Sequence, residues 1–181
     1  MYDLKAALLS AALSLPSPWY PPGENPETVE QYRARVEVIA SAIVAEAAQA
    51  PGWGWGTRAL AFAALTIMYK ESGFALSVHN GEKLGDRGRA SCLGQVHMSG
   101  MVPKHEWVRL TGVDTESTRR CARAPLRYLV AQHRGCRLHK TPLNMTNMAR
   151  VFTAYATGGR CTPGTLGMKR ARAWNQLMVK H

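Results

Sequence analysis

The sequence is poor in acid. Its 181 residues hold 12 Asp and Glu against 23 Lys and Arg, a net charge of +11. A balance this one-sided favours an anionic partner: nucleic acid, an anionic membrane face or an anionic cell-wall polymer. Long hydrophobic runs are missing too. No stretch approaches about eighteen consecutive apolar residues, so no membrane-spanning helix is expected. The apolar start, residues 1–15, carries Asp3 and Lys5. It lacks a basic lead and a small-residue cleavage site, and so reads as a short amphipathic helix rather than an export signal. There is no C-x-x-C pair and no H-E-x-x-H. Cys92, Cys121, Cys136 and Cys161 lie 29, 15 and 25 residues apart, spacings that fit no common zinc pattern. Cys136-x-x-His139 with Cys121 and Cys161 is the one metal set to weigh, and Cys161 the one thiol nucleophile. Neither has a recognisable partner set, so no metal and no cofactor are expected. Internal repeats and low-complexity tracts are absent.

What is present is enough for a core: 46% of the residues are hydrophobic, which excludes a disordered chain. Four cysteines are an even number. Two disulfides formed in an oxidising compartment are expected, with all three connectivities open; four reduced core thiols are the alternative. Residues 16–26, PSPWYPPGENP, hold five prolines and predict an extended connector. The chain therefore divides into 1–26, a short helix and connector, and 27–181, one mainly helical domain. Val29, Tyr32, Val36, Ile39 and Ile43 recur at three and four, predicting a helix from about Glu27 to Ala50 that Pro51-Gly52 stops. After the turn GWGWG, Thr57 can cap a nearly all-apolar helix to about Lys70 or Glu71, the central buried one. From Ser72 to Gly100 the pattern breaks into a glycine-rich loop region with room for a short hairpin, the kind of segment that is usually functional. Further helices are expected at 106–112, from Pro125 in a first turn to Arg134, at 144–157 ending on Gly158-Gly159, and at 163–179.

One residue stands on the wrong face. Leu60, Ala64, Ile67 and Glu71 are spaced 4, 3, 4 and share a stripe of the central helix. A carboxylate at the edge of the core is disfavoured as an anion, so its pKa rises. A general acid for glycosidic cleavage needs that property. The plainer reading is an exposed last helical residue, paired with Lys70 or a nearby Arg.

The neighbours of Glu71 extend this. Glu71-Ser72-Gly73 is followed by Gly85-Asp86-Arg87-Gly88, by Cys92-Leu93-Gly94-Gln95-Val96-His97, and by Ala154-Tyr155-Ala156-Thr157-Gly158. In these segments, over about 57–160, the sequence resembles the lysozyme-like superfamily, specifically soluble lytic transglycosylases and goose-type lysozymes. In that family a Glu-Ser pair ends a buried helix and its Glu is the catalytic acid. A G-L-M-Q motif follows, and A-Y-N-A-G closes a later helix. The resemblance implies an α+β lysozyme-like fold. It makes Glu71 the acid, Ser72 and Gln95 cleft residues beside the cleavage point, and Tyr155 a tyrosine whose hydroxyl reaches the catalytic carboxylate. It departs at Cys92 and Gly94, where the family has Gly and Met, and at Ala156, where it has Asn.

The run Gly85-Asp86-Arg87-Gly88 resembles the goose-type pattern, whose two aspartates hold the attacking water. Asp86 matches the first; His97 stands at the second. An inverting hydrolase needs a second carboxylate about 6.5–9.5 Å from the acid, and Asp86 is the candidate; its alternative is a turn-former. A lytic transglycosylase needs only Glu71. The resemblance thus implies a peptidoglycan-cleaving muramidase or lytic transglycosylase acting on the MurNAc–GlcNAc bond, with hydrolysis and anhydro-ring formation both open. The expected partner is bacterial peptidoglycan, with no nucleic acid. Without a recognisable signal or anchor, the expected setting is a bacteriophage product, monomeric or carried in a particle, acting in the periplasm or cell wall. A non-catalytic basic domain that keeps the fold and binds cell wall or nucleic acid is the alternative. Arg119, Arg120, Arg123, Arg127, Arg134 and Arg137 form the densest basic region, a solvated helix face or a hold on anionic glycan peptides.

Overall fold

The computed structural model describes residues 3–18, 20, 26–99 and 102–181; most of the proline-rich connector lies outside them. Among the described residues there are eight α-helices and one two-stranded sheet: α1 (Leu4–Ser14), α2 (Val29–Ala48), α3 (Thr57–Ser72), α4 (Leu76–His79), β1 (Ala90–Ser91), β2 (Val96–His97), α5 (Lys104–Trp107), α6 (Thr115–Gly135), α7 (Met145–Thr157) and α8 (Thr165–Lys180). The chain is mainly helical, as its patterning predicts, and none of these helices is long and apolar enough to cross a membrane.

The core is built around α3. Every residue from Ala59 to Met68 is buried, which fits a helix apolar on all sides, and α1, α2, α6 and α8 pack against it. Gly56 takes the N-cap, at φ +83°, with no side-chain cap, and Thr57 is already inside the helix. The expected Thr57 cap is therefore corrected: the backbone enters through a conformation that favours glycine. The first helix joins the same core, since Leu8, Ala11 and Ala12 are fully buried. At α2, Thr28 and Gln31 form a reciprocal capping box, each satisfying a backbone N–H that the helix leaves free.

Buried charge ties helices together. Glu46 of α2 accepts from Arg119 Nε at 2.9 Å, and from Arg123 Nε at 2.7 Å and Nη2 at 3.1 Å, both on α6. Arg35 of α2 pairs with Glu27 and donates to the Phe74 carbonyl at 2.9 Å. This second anchor holds the backbone just after α3.

The start of α6 differs from the expectation. Pro125 lies inside the helix, not in its first turn. The Asp114 carboxylate accepts from the backbone N–H of Glu116 and Ser117, so capping begins the helix at Thr115. An interior proline forfeits one backbone bond; here its ring fills space opposite Gly94, where a Cβ would come within 3.1 Å of Pro125 Cγ. The short helix expected at 106–112 lies earlier, at Lys104–Trp107. The hairpin appears as β1 and β2, antiparallel, Ala90 opposite His97 and Ser91 opposite Val96. Of the three disulfide connectivities one is formed: Cys92–Cys121 joins the hairpin turn to α6, and Cys136–Cys161 joins the end of α6 to the α7–α8 connection. All four sulfurs are thus bonded, which removes them as zinc ligands or nucleophile.

Candidate active site

Glu71 sits in the last turn of α3. Gly73 closes that helix in the left-handed region, its N–H reaching Tyr69 O at 2.7 Å, an αL cap. Leu60, Ala64 and Ile67 are buried, and Glu71 emerges from their stripe with its side chain 22% exposed. It borders a cavity of about 400 Å³ whose walls include Tyr20, Ser72, Lys83, Gly85 and Gln95. A second hollow of about 340 Å³ holds Val96, His97, Tyr128 and Tyr155. Gln95 borders both, so it stands at the waist of one trough.

Burial raises the Glu71 pKa above the ordinary carboxylate range, while Arg170 and His97 pull it back. The Arg170 guanidinium donates from Nη2 to Glu71 Oε1 at 2.5 Å. Arg170 is 99 residues away in sequence and nearly buried, and its Nε and Nη1 have no hydrogen-bond partner among the described residues. A pairing of Glu71 with an arginine is the plainer of the two expectations, and no motif singles out Arg170. A signal existed. Gly167, Arg170, Ala171, Trp174 and Leu177 are the buried residues of α8, so Arg170 lies on an apolar stripe just as Glu71 does.

The other expected site residues separate into those at the cleft and those spent on structure. The Ser72 hydroxyl donates to Met68 O at 2.6 Å and accepts from Phe74 N at 3.1 Å. It lines the cavity, but its polar atom finishes the helix. Gln95 adopts φ +49° and donates from Nε2 to Cys92 O at 3.2 Å. Its Oε1 occupies the place a Cβ on Gly85 would take, 1.5 Å away, so Gly85 must stay glycine for Gln95 to sit there. The Tyr155 hydroxyl does not reach the carboxylate as its resemblance implies. It donates to Gly94 O at 2.9 Å, because the chain turn at 92–95 brings that carbonyl to the end of α7. Burial foremost, then the nearby Glu71 charge, pushes the Tyr155 phenol upward. Tyr155 thus faces Glu71 as a neighbour and locks the Gln95 turn instead.

Asp86 stands on the rim, with its side chain 45% exposed. It meets Arg89 at 3.3 Å and His97 Nε2 at 3.7 Å. His97 is in reach of Asp86, and its charge is felt by Glu71. The Cys92–Cys121 bridge lies directly under this turn; Leu93 N approaches Cys121 Sγ at 3.2 Å. Among the described residues no cluster of His, Cys, Asp and Glu has metal-binding geometry. The arrangement can protonate a leaving oxygen bound over Glu71, with the hairpin turn as the opposite wall. Compared with family models, curated proteins and solved structures, the chain finds no match.

Proposed function

We propose that this protein is a peptidoglycan glycosidase of lysozyme-like fold, cleaving the MurNAc–GlcNAc bond with Glu71 as general acid and base. The observation that carries the reading is the placement of Glu71: a carboxylate at the end of the most buried helix, open to a cleft, with proton affinity raised by burial. Such a group keeps its proton at higher pH than an exposed Glu and can deliver it to a glycosidic oxygen. The ordered Glu71-Ser72, Leu93-x-Gln95 and Ala154-Tyr155 segments, which meet around that cleft, support the substrate class. The charge of +11 supports an anionic wall as partner.

In the reaction, Glu71 gives its proton to the bridging oxygen as the bond from that oxygen to the muramic C1 breaks. Two courses complete it. The muramic 6-hydroxyl attacks C1 and returns its proton to Glu71, leaving an anhydro end. Alternatively water attacks and a second group takes its proton; Asp86 is the candidate, on the rim beside His97. A second reading, a non-catalytic basic domain binding wall or nucleic acid, draws on the Glu71–Arg170 pair, because an ionised, paired carboxylate is no acid. Mass spectrometry of digested peptidoglycan decides among these. Anhydro ends identify the first course and reducing ends the second. Intact glycan from the parent protein, or equal cleavage by Glu71→Gln, refutes the catalytic assignment.

A further inference from the structure

Tyr155 spends its hydroxyl on Gly94 O, so a different residue must hold the Glu71 side chain. Among the described residues its hydrogen-bond partner is Arg170, across the α3–α8 contact. A guanidinium has donors only and stays protonated. A hydrogen is disfavoured on the carboxylate oxygen facing it, because the cation lies against that oxygen and its donor already takes a lone pair there. Oε1 is the oxygen so occupied. The Arg170 side chain is 6% exposed, and among the described residues its two remaining nitrogens have no hydrogen-bond partner, so no second acceptor there competes with Glu71.

We propose that Arg170 is a positioning residue for Glu71, pinning Oε1 and so confining the transferable proton to Oε2. This rests on the glycosidase reading for its catalytic meaning, though not for its electrostatics. The charged groups that bear on Glu71 are Arg170 from α8 and His97 from β2, and Glu71 in turn bears on Tyr155 from α7; Lys83 stands on the cavity wall. Of these only Arg170 bonds the carboxylate. The arginine fixes which oxygen is acidic and keeps the acid from holding its proton too tightly to release it.

The test compares the parent protein with R170M and R170K. Two readouts are needed: the pH profile of wall clearing, and carbon NMR of the Glu71 side-chain carboxyl during titration. In R170M the alkaline limb and the carboxyl titration both move up, by about one pH unit or more, the usual effect of removing an adjacent cation. The maximal rate falls at least tenfold, and R170K recovers part of both. A folded R170M with an unmoved limb and an unmoved titration overturns the proposal. If R170M does not fold, the parent decides: its Arg170 side-chain nitrogen resonances must shift with the Glu71 carboxyl titration, and independent titration overturns the proposal. A parent that titrates in this way but leaves walls intact refutes the glycosidase reading while the pairing stands.

Discussion

Among the glutamates that meet arginines, Glu46 and Glu71 shift in opposite directions. Glu46, on α2, has its side chain 3% exposed and accepts from both Arg119 and Arg123. Its carboxyl lies below the ordinary range, although burial alone would raise it. Glu71, on α3, is more exposed at 22% and meets one arginine through one nitrogen. Its carboxyl lies above the ordinary range. The sign is set by the balance between desolvation, which raises both carboxyls, and the charged donors, of which Glu46 has more. Two guanidiniums, one gripping both oxygens, outweigh desolvation, and a single contact does not. The first arrangement makes a strut between α2 and α6. The second leaves a carboxyl that holds its proton more readily than an exposed Glu.

The contrast breaks most sharply under substitution. Glu71→Gln should lower wall cleavage by roughly 10²–10⁴-fold, the usual worth of a positioned acid, while the protein stays folded by circular dichroism. Glu46→Gln should do the reverse, retaining activity while losing about 1–3 kcal/mol in urea unfolding as hydrogen bonds to charge are weakened.

Next in size is the pH dependence of stability, which must have opposite slopes. Glu46 binds its proton less readily folded than unfolded. Its contribution is present above the unfolded value of 4.5 and lost as pH falls through the lower folded value. Glu71 binds more readily when folded. Its contribution is present below 4.5 and lost as pH rises toward the higher folded value. Urea midpoints measured across pH should therefore decline less steeply on the acid side in Glu46→Gln and flatten just above pH 4.5 in Glu71→Gln; the opposite pattern refutes the comparison.

A finer cut asks whether donor count is the cause. Arg123 takes both oxygens of Glu46 and Arg119 only one. Arg123→Met should therefore raise the Glu46 titration more than Arg119→Met, bringing it toward the behaviour of Glu71, as followed by carboxyl NMR. Equal shifts would mean that proximity of charge, rather than the bonds, sets the sign.

Both glutamates were differently legible in the sequence. Glu71 shares a stripe with Leu60, Ala64 and Ile67; Arg170 shares a stripe with Gly167, Ala171 and Trp174 in the same manner, but it sits among the basic residues Lys169 and Arg172, so its charge alone does not mark it out. Helix positions followed from periodicity where apolar stripes are clean, as at α2 and α7, and failed where a cap outranks a proline, as Asp114 does over Pro125. The destination of the Tyr155 hydroxyl was not legible, because it depends on a carbonyl 61 residues away. The disulfide pairing was equally hidden: four cysteines fix a number, and only the packing of the hairpin turn on α6 selects Cys92 with Cys121.

The smallest expected effect concerns the residue beside the acid. Ser72→Ala should cost about 0.5–1.5 kcal/mol, the worth of ordinary hydrogen bonds, and change wall cleavage less than twofold, since its hydroxyl is committed to Met68 and Phe74. A loss of activity out of proportion to stability would give Ser72 a direct hold on substrate.

The contact between Gly94 and Pro125 couples two positions that lie far apart in sequence. A Cβ at 94 meets the proline ring at 3.1 to 3.4 Å, so a larger residue there needs the ring or the turn to give by a few tenths of an ångström. Pro125→Ala opens that space at no cost to Gly94, whereas Gly94→Met in the presence of Pro125 must push on the turn that carries Gln95. The two positions are thus coupled through one contact, and their substitutions should not add: Pro125→Ala relieves whatever strain a larger residue at 94 introduces.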